Sequence, residues 1–326
     1  MKLELLVSQK GDGDFITITE AINAVPYHMP ARIFVKSGIY QEKLFVEKQN
    51  LQILGEGTDK TILSFGDYAR KLHLDGKPYG TFRSYTAFLG GEHITVKNLT
   101  IENTAGDGRT FGQAIAAYVD AQQAYFENVH FLSFQDTLFT APLPPEPRTP
   151  GSFIGPRERT PRSSSQQYYK NCFIRGDVDF IFGGADAVFE NCDIFSNDRG
   201  EAVNGYIAAP STPENGFGYF FLNCSLHSLA ASGTVYLARP WRKYAKVAFL
   251  KCEIGSHIAF AGWDNWGNPE NEKTAKFAEY HSTGAGSGHN RAFGIQLSLP
   301  EAAWYRQKID DLKHCILSKV NEESTD

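Results

Sequence analysis

Two aspartates stand at the same distance from a repeated asparagine, and their type and spacing could support acid–base chemistry. Asp136 follows Asn128 by eight residues, and Asp179 follows Asn171 by eight. If these asparagines occupy equivalent places on adjacent coils, the carboxyl groups lie about 5 Å apart, which is the spacing of neighbouring strands. Two carboxylates this close do not both ionise easily, so one is expected to keep its proton near neutral pH. Spacing alone also allows a chance stack of two exposed aspartates.

A candidate partner for this pair lies further along the chain. Arg239 precedes Lys251 by 12 residues, as Asp179 precedes Asn191 by 12, which places a guanidinium one or two coils on along the same face. It could bond Asp179, orient it and lower its pKa. Trp241 offers an aromatic surface of the kind on which sugar rings stack. Taken alone, Arg239 also fits an ordinary surface salt bridge, but together these residues indicate a cleft.

The elements that would position these side chains follow from an internal repeat. Six similar segments reach their reference position at Asn98, Asn128, Asn171, Asn191, Asn223 and Lys251. Apolar residues fall two positions before, one after and three after it, which is strand alternation interrupted by a bend. Asparagine suits such a bend because it tolerates the left-handed conformation. Short strands recurring at intervals of 20 to 43 residues predict an all-β fold, a parallel β-helix.

The five cysteines fit this repeat without disulfides. Four of them follow the reference position directly, at Cys172, Cys192, Cys224 and Cys252. They are expected to stack in one interior column as small buried hydrophobes, in preference to disulfides or a metal site. Cys315 lies outside the repeat, in a helical tail.

The remaining segments predict how the solenoid, expected over about 30–265, begins and ends. Phe15–Val25 is amphipathic and stops before Pro26, so it predicts a helix that caps the first coil. Glu301–Val320 predicts a helix in a C-terminal tail of about 290–326, packed on the outside or end of the barrel. Residues 141–165 are rich in proline and predict a long surface loop. No linker divides the chain, so we expect a single domain over 1–326.

Composition excludes several classes of protein. The 326 residues carry 32 basic and 37 acidic side chains, a net charge of −5, which argues against nucleic-acid binding. No run of 18 apolar residues exists, so no membrane span is expected. The first residues lack the apolar core of a secretory signal. The sequence as given therefore predicts a cytoplasmic protein, or a secreted one whose leader was removed.

Several short segments together resemble one known family. They are QDTL at 135–138, GDVDFIFG at 176–183, LARPW at 237–241, GIYQE at 38–42, TFRSYT at 81–86, GQAIA at 112–116, AGW at 261–263 and EYHSTGAG at 279–286. Taken in chain order, they resemble the signature segments of pectin methylesterases, from about Val7 to Gly288. The resemblance implies a single-stranded right-handed parallel β-helix. It also implies a carboxylic ester hydrolase that releases methanol from methyl-esterified homogalacturonan or oligogalacturonides, with no metal or cofactor. We expect a monomer.

The resemblance also implies roles for individual residues. Asp179 matches the nucleophile and Asp136 the general acid/base. Gln135 and Gln113 match the glutamines that hold the anionic tetrahedral intermediate, and Arg239 matches the arginine that orients the nucleophile. The expected substrate-binding residues are Trp241, Val178, Phe182, Thr81 and Tyr85.

The sequence departs from the family pattern in three places, and it also disfavours two other classes of enzyme. Ala238 replaces a glycine before the arginine, the stretch GGAD at 183–186 replaces a more usual GNAA, and the loop at 141–165 is long. A serine hydrolase is disfavoured because no Gly-x-Ser-x-Gly occurs, and a zinc enzyme because no His-Glu-x-x-His occurs. Two alternatives stay open: a β-helix relative that acts on another ester or thioester, and a non-catalytic carbohydrate-binding β-helix.

Overall fold

The computed structural model, which describes residues 2–288 and 291–322, is a coil of short parallel strands. In chain order the strands are β1 Leu3–Val7, β2 Ala31–Val35, β3 Gly38–Tyr40, β4 Leu44–Gly55, β5 Thr61–Phe65, β6 Ala87–Asn103, β7 Ala117–Val119, β8 Gln123–Leu132, β9 Leu138–Thr140, β10 Gln166–Lys170, β11 Phe173–Gly176, β12 Val178–Gly183, β13 Asp186–Glu190, β14 Asp193–Ser196, β15 Gly205–Pro210, β16 Tyr219–Leu222, β17 Ser225–Ser228, β18 Val235–Ala238, β19 Lys246–Leu250, β20 Glu253–Ile254, β21 Lys276–Tyr280 and β22 Ile295–Gln296. All the pairings between these strands are parallel, which confirms the predicted parallel β-helix.

The strands form three faces along the coil. Face A joins β1, β2, β4, β6, β8, β10, β13, β16, β19, β21 and β22. Face B joins β3, β5, β6, β8, β11, β14, β17 and β20. Face C joins the first half of β4 and of β6 with β7, β9, β12, β15 and β18. The long strands bend from one face to another, so β4 and β8 each contribute to two faces and β6 contributes to all three.

The repeated asparagines make the corner between faces A and B, as predicted. The six reference residues have φ between 52° and 56°, including Lys251 at 54°. His281 continues the column with φ of 49°. A non-glycine residue in the left-handed region is uncommon, and asparagine tolerates it best. The recurrence of this residue type therefore has a backbone cause.

The interior is a set of side-chain columns that run from coil to coil. Phe126, Tyr169, Phe189, Phe221 and Phe249 stack face to face with ring centroids 4.4 to 4.8 Å apart. Each ring is fully buried. The four repeat cysteines form a neighbouring column of buried free thiols, as predicted, and Cys315 is free and exposed. Apolar burial of this kind is the main favourable contribution to folding.

Helices cover the first coil and one outer face. Helix α1, Ile18–Ala24, begins after Thr17, whose hydroxyl accepts a hydrogen bond from the Glu20 amide, and its apolar side packs on the core. Helices α2, Gly108–Phe111, and α3, Glu270–Thr274, are short, as is the 3₁₀ turn Thr81–Arg83. Helix α4, Leu299–Glu322, packs against the outward side chains of face A, which confirms a C-terminal helix on the outside of the barrel.

The coil extends further than the sequence predicted. Parallel pairing begins with β1 and continues to β22, beyond both ends of the expected 30–265. Residue 290 and residues 323–326 of the expected tail lie outside the described residues. No helix in the described part of the chain is long and apolar enough to cross a membrane.

The segment 141–165 contains neither helix nor strand, in agreement with the predicted loop. Arg157 fixes it to the barrel through ion pairs with Glu47 at 2.7 Å and with Asp120. The loop is not confined to the surface, because Phe153 is 4% exposed and packs on the outer side of face C. It therefore covers the part of the barrel where the predicted site residues lie.

Candidate active site

Asp136 and Asp179 lie on adjacent coils at the corner that leads into face C. Strands β9 and β12 pair so that Leu138 lies beside Ile181, 43 residues apart in the chain. Asp136 and Asp179 each stand two residues before these partners, so they occupy matching positions on the two coils. Both have a left-handed backbone, with φ of 64° at Asp136 and 53° at Asp179. The pairing of β12 with β15 shifts register between Val178 and Ile181. Such an irregularity turns a side chain out of the normal strand direction.

Arg239 holds the Asp179 carboxylate with two parallel hydrogen bonds. Nε donates to Oδ1 at 2.7 Å and Nη2 donates to Oδ2 at 2.6 Å. The guanidinium also lies 3.7 Å from the ring centroid of Tyr206 and 3.8 Å from that of Trp266. Arginine binds a carboxylate through such a planar fork, and stacking on aromatic rings fixes the plane. Asp179 therefore has a single, well-defined orientation.

Burial and nearby charges act differently on the pKa values of the two carboxyl groups. Burial, followed by the negative charge of Asp179, raises the pKa of Asp136 well above its ordinary value. Burial also raises the pKa of Asp179, while the hydrogen bonds and positive charge of Arg239 lower it. Arg239 thus acts in the expected direction, but the net pKa of Asp179 is raised rather than lowered because burial outweighs it. The pair still favours a protonated Asp136 beside an ionised Asp179.

Two glutamines lie beside the carboxyl pair. The Ala114 amide, next to Gln113, donates to the Gln135 carbonyl at 3.0 Å, so the two glutamines are held on neighbouring coils. Helix α2 approaches Gln135 closely: a Cβ atom at Gly108 would lie 2.7 Å from its Oε1. Glycine is thus the residue that leaves room for this amide. Neutral amides can donate hydrogen bonds to an oxyanion without attracting the Asp179 carboxylate away from Arg239.

These groups surround one cavity of about 190 Å³. Its lining consists of Thr81, Phe82, Gln113, Gln135, Asp136, Ser152, Phe153, Asp179, Phe182, Ala209, Trp241 and Trp266. The structure thus brings together Asp136, Asp179 and both glutamines, and Arg239 reaches the site through Asp179. Trp241, Phe182 and Thr81 of the expected substrate-binding residues also line it.

Two expected substrate-binding residues lie elsewhere. Tyr85 lines a neighbouring cavity, where the Lys43 amine lies 4.6 Å from its ring centroid. Val178 contributes its carbonyl, which accepts a hydrogen bond from the Asp136 amide at 3.0 Å, and its side chain does not line the aspartate cavity. Both were expected from their places in recognised segments. Such a segment indicates where the backbone runs but not which cavity a side chain faces.

The sequence also left part of the lining unidentified. Trp263 belongs to the AGW segment but is buried in the core, whereas Trp266, three residues later, lines the cavity and contacts Arg239. The asparagine and glycine around Trp266 are a turn signal that could have placed it at the surface. Ser152 and Phe153 reach the cavity from the 141–165 loop, and no local pattern predicts that contact.

The unusual GGAD stretch has a packing cause. A Cβ atom at Gly184 would lie 2.8 Å from the carbonyl oxygen of Pro142, so the first residues of the loop need this glycine. The Asp186 carboxylate accepts hydrogen bonds from the amides of Phe217 and Gly218 at 2.6 and 2.9 Å and so orders the next coil. These departures serve the fold around the loop and leave the carboxyl pair unchanged. Across residues 2–288 and 291–322, no group of three or more His, Cys, Asp or Glu could hold a metal ion.

Comparison with known proteins identifies the family. The sequence model of the family described as Pectinesterase matches residues 4–143 and 160–295. The chain belongs to the pectinesterase family. It is 32% identical to Pectinesterase 31 of Arabidopsis thaliana over 94% of this chain and 87% of that protein. It is 30% identical to Pectinesterase 2 of Citrus sinensis over 88% of this chain and 52% of that protein.

Solved structures agree with this family assignment. A pectin methylesterase in complex with a hexasaccharide superimposes with a TM-score of 0.76 at 29% identity, covering 92% of this chain and 94% of that one. Pectin methylesterase from carrot gives a TM-score of 0.75 at 27% identity, covering 92% and 89%. The internal stretch of this pectinesterase that the family model leaves unmatched, residues 144–159, falls within the loop that reaches the cavity.

Proposed function

We propose that this protein is a pectin methylesterase that uses Asp179 as nucleophile and Asp136 as general acid and base. The observation that carries the proposal is the pair of buried carboxyl groups at matching positions of adjacent coils, one of them held by Arg239. Membership of the pectinesterase family supports ester hydrolysis. The substrate is a methyl ester of galacturonate in homogalacturonan or in an oligogalacturonide.

In the first half of the reaction the ester is cleaved. The ionised Asp179 carboxylate attacks the ester carbonyl carbon, and the amides of Gln113 and Gln135 donate to the oxyanion of the tetrahedral intermediate. The carbon–oxygen bond to methoxide then breaks, and protonated Asp136 gives its proton to that oxygen. Methanol leaves, and the galacturonyl group stays on Asp179 as a mixed anhydride.

In the second half water releases the acid. Asp136, now a carboxylate, takes a proton from water as the water oxygen attacks the galacturonyl carbon of the anhydride. The bond to Asp179 breaks, which restores its carboxylate, and the free galacturonate leaves. Asp136 keeps the proton for the next cycle. One ester and one water thus give one acid and one methanol, and all the required groups line one cavity.

We also propose that the loop restricts the substrate to short chains. Ser152 and Phe153 line the aspartate cavity, while Ile154 to Pro156 line the neighbouring cavity of about 500 Å³. The loop backbone lies close to the barrel here, because a Cβ atom at Gly155 would lie 2.7 Å from the Phe82 carbonyl oxygen. A loop seated in this way forms a wall that would block a long polymer at one end of the cleft.

Location and oligomeric state follow as parts of the same proposal. Short oligogalacturonides can be imported by a cell, whereas pectin polymer is too large, so we propose a cytoplasmic protein that acts on imported oligomers. Fractionation of the source cells tests this location. We also propose a monomer, which light scattering coupled to size exclusion tests.

Methanol release decides the activity. The protein is expected to release methanol from methylated pectin and from methylated oligogalacturonides, with higher kcat/KM on the oligomers. Asp179→Asn should release almost none, because an amide does not serve as this nucleophile. A variant with the 144–159 segment replaced by a short turn should lose the preference for oligomers. Equal efficiency on polymer and oligomer in the unaltered protein would contradict the restriction to short chains, and no methanol from either would contradict the activity.

A further inference from the structure

A cation supplied by the unmatched loop stands at the edge of the aspartate cavity. We propose that Arg148 binds the free carboxylate of a galacturonate unit next to the methyl ester under attack, so that the enzyme favours partly de-esterified chains. This inference rests on the proposed pectin methylesterase function and deepens it. Arg148 belongs to residues 144–159, which the family model does not match.

Contacts with two lining residues fix the position of Arg148. Its Nη2 donates to the Trp241 carbonyl oxygen at 2.7 Å, and its guanidinium carbon lies 4.8 Å from the ring centroid of Trp266. The loop is held there from the other side as well, because Arg242 donates from Nη2 to the Glu146 carbonyl oxygen at 3.1 Å. Trp241 and Trp266 line the cavity that contains the two aspartates. Arg148 therefore stands beside the place where a sugar adjoining the reacting unit would lie.

The charge of Arg148 lacks a counter-ion within the described residues. By contrast, Arg157 of the same loop pairs with Glu47 and Asp120, and Arg239 pairs with Asp179. Arg148 donates only to a neutral carbonyl and is exposed to solvent. Partial burial and the nearby charge of Arg239 lower the pKa of Arg148 and outweigh the negative charge of Asp179, which raises it, so an anion placed directly beside Arg148 would favour its charged form.

The chemistry of the substrate supplies such an anion. De-esterified galacturonate units carry carboxylates, and methyl-esterified units do not. A guanidinium has five N–H donors, of which Arg148 uses one on Trp241, so enough remain for a paired contact with a carboxylate. The proposed steps at Asp179 use Asp136 and the two glutamines and do not use the Arg148 guanidinium. Its role is to distinguish substrates by the charge of the neighbouring sugar.

Two methylated trigalacturonates test this role. One carries methyl esters on all three units, and the other carries a single methyl ester beside free carboxylates. The unaltered protein should show a higher kcat/KM on the singly esterified trimer. Arg148→Ala should lower kcat/KM on that trimer by about tenfold or more, through KM, as expected for loss of a hydrogen bond to a charged group. On the fully esterified trimer, kcat/KM of the same variant should equal that of the unaltered protein.

Matched variants separate charge recognition from a structural role. Arg148→Lys keeps the charge and should retain part of the preference. Arg159→Ala removes an exposed arginine of the same loop and should leave kcat/KM unchanged on both trimers. Binding of unesterified trigalacturonate, measured by calorimetry, should weaken in Arg148→Ala and stay unchanged in Arg159→Ala.

Three outcomes would overturn the assignment or its basis. An equal loss on both trimers in Arg148→Ala would mean that the residue only holds Trp241 and Trp266 in place. No loss on either trimer would mean that it does not contact the substrate. A protein that binds trigalacturonate through Arg148 but releases no methanol would refute the proposed function and leave carboxylate recognition standing.

Discussion

Asp136 and Asp179 share a rare backbone conformation at matching positions of adjacent coils. Their φ values of 64° and 53° lie in the left-handed region, where aspartate is tolerated but uncommon. Strain of this kind persists only where the surrounding structure enforces it, and here the coil on either side does so through parallel pairing. The strained backbone at these two positions thus directs both carboxyl groups into one cavity.

Gln135 should contribute to turnover more than to binding. Gln135→Ala removes one preorganised donor, which typically costs about 10² to 10³ in turnover. Steady-state kinetics on a methylated oligogalacturonide should therefore show a lower kcat with a similar KM. If KM rises while kcat holds, Gln135 is a binding residue and Gln113 alone faces the oxyanion.

Gly108 should act through Gln135. A methyl group at this position would meet the Gln135 Oε1 at 2.7 Å and move the amide, so Gly108→Ala should lower kcat by less than Gln135→Ala does. The double variant tests the coupling, because two residues that act through one contact are not additive. A methyl group at Gly108 would still lie 2.8 Å from the Cβ of residue 135 after the amide is removed, so the combined loss should be smaller than the sum of the two single losses. Additive losses would show that Gly108 affects the reaction by another route.

Arg239 should set the pH range of activity. Its charge lowers the pKa of Asp179 and of Asp136. Activity requires Asp179 ionised and Asp136 protonated, so Arg239→Gln should move both limbs of the pH profile to higher pH and reduce turnover. Arg239→Lys keeps the charge and should shift the limbs less, although it loses the two-point contact.

Lys243→Gln, which removes an exposed charge close in sequence, serves as the control for Arg239 and should leave the profile in place. A slower Arg239→Gln variant with unmoved limbs would contradict the electrostatic role and leave orientation as the whole contribution.

Asp177 should affect the alkaline limb alone. Burial raises its pKa to about 6, so it is ionised above that pH, and its negative charge raises the pKa of Asp136. Asp177→Asn removes this charge and should move the alkaline limb to lower pH. The exposed Asp198→Asn variant should not. A shift of the acid limb instead would indicate that Asp177 acts on Asp179.

The stacked aromatic column should carry much of the stability. Phe189 lies between Tyr169 and Phe221, with ring centroids at 4.7 and 4.6 Å, and is fully buried. Phe189→Ala should lower the free energy of unfolding by about 3 to 5 kcal/mol. Leu229→Ala, at a position that is 83% exposed, should change it by less than about 0.5 kcal/mol. Urea denaturation of both variants measures the difference, and similar midpoints would contradict the importance of the column.

The sequence predicts the coil well because its signals are local. The bend at Asn171 depends on the residue's own backbone preference, and the alternation around it decides which side chains enter the core. Because the coils stack in register, the equal offsets of Asp136 and Asp179 also translate into proximity. Local pattern and repeat spacing are therefore sufficient for the fold and for the carboxyl pair.

Contacts made by the loop and the balance of pKa effects depend on three-dimensional packing. Phe153 lines the cavity and Arg148 contacts Trp241 and Trp266 at its edge, and no spacing in the chain predicts these contacts. The same holds for Trp266, which a turn brings to the cavity while Trp263 enters the core. For Asp179 the sequence indicates the direction of the Arg239 effect but not the depth of burial, and burial determines the net pKa.

The pH dependence of turnover in Asp136→Asn and Asp179→Asn tests the division of labour between the two aspartates most directly. Turnover of the unaltered protein should rise as Asp179 ionises and fall as Asp136 loses its proton, the two limbs belonging to the coupled pair. Asp179→Asn should be almost inactive at every pH. Asp136→Asn should be severely slow, and its remaining activity should lack the alkaline limb. An alkaline limb that persists in Asp136→Asn would show that another group gives the proton to methanol, and would contradict the assignment.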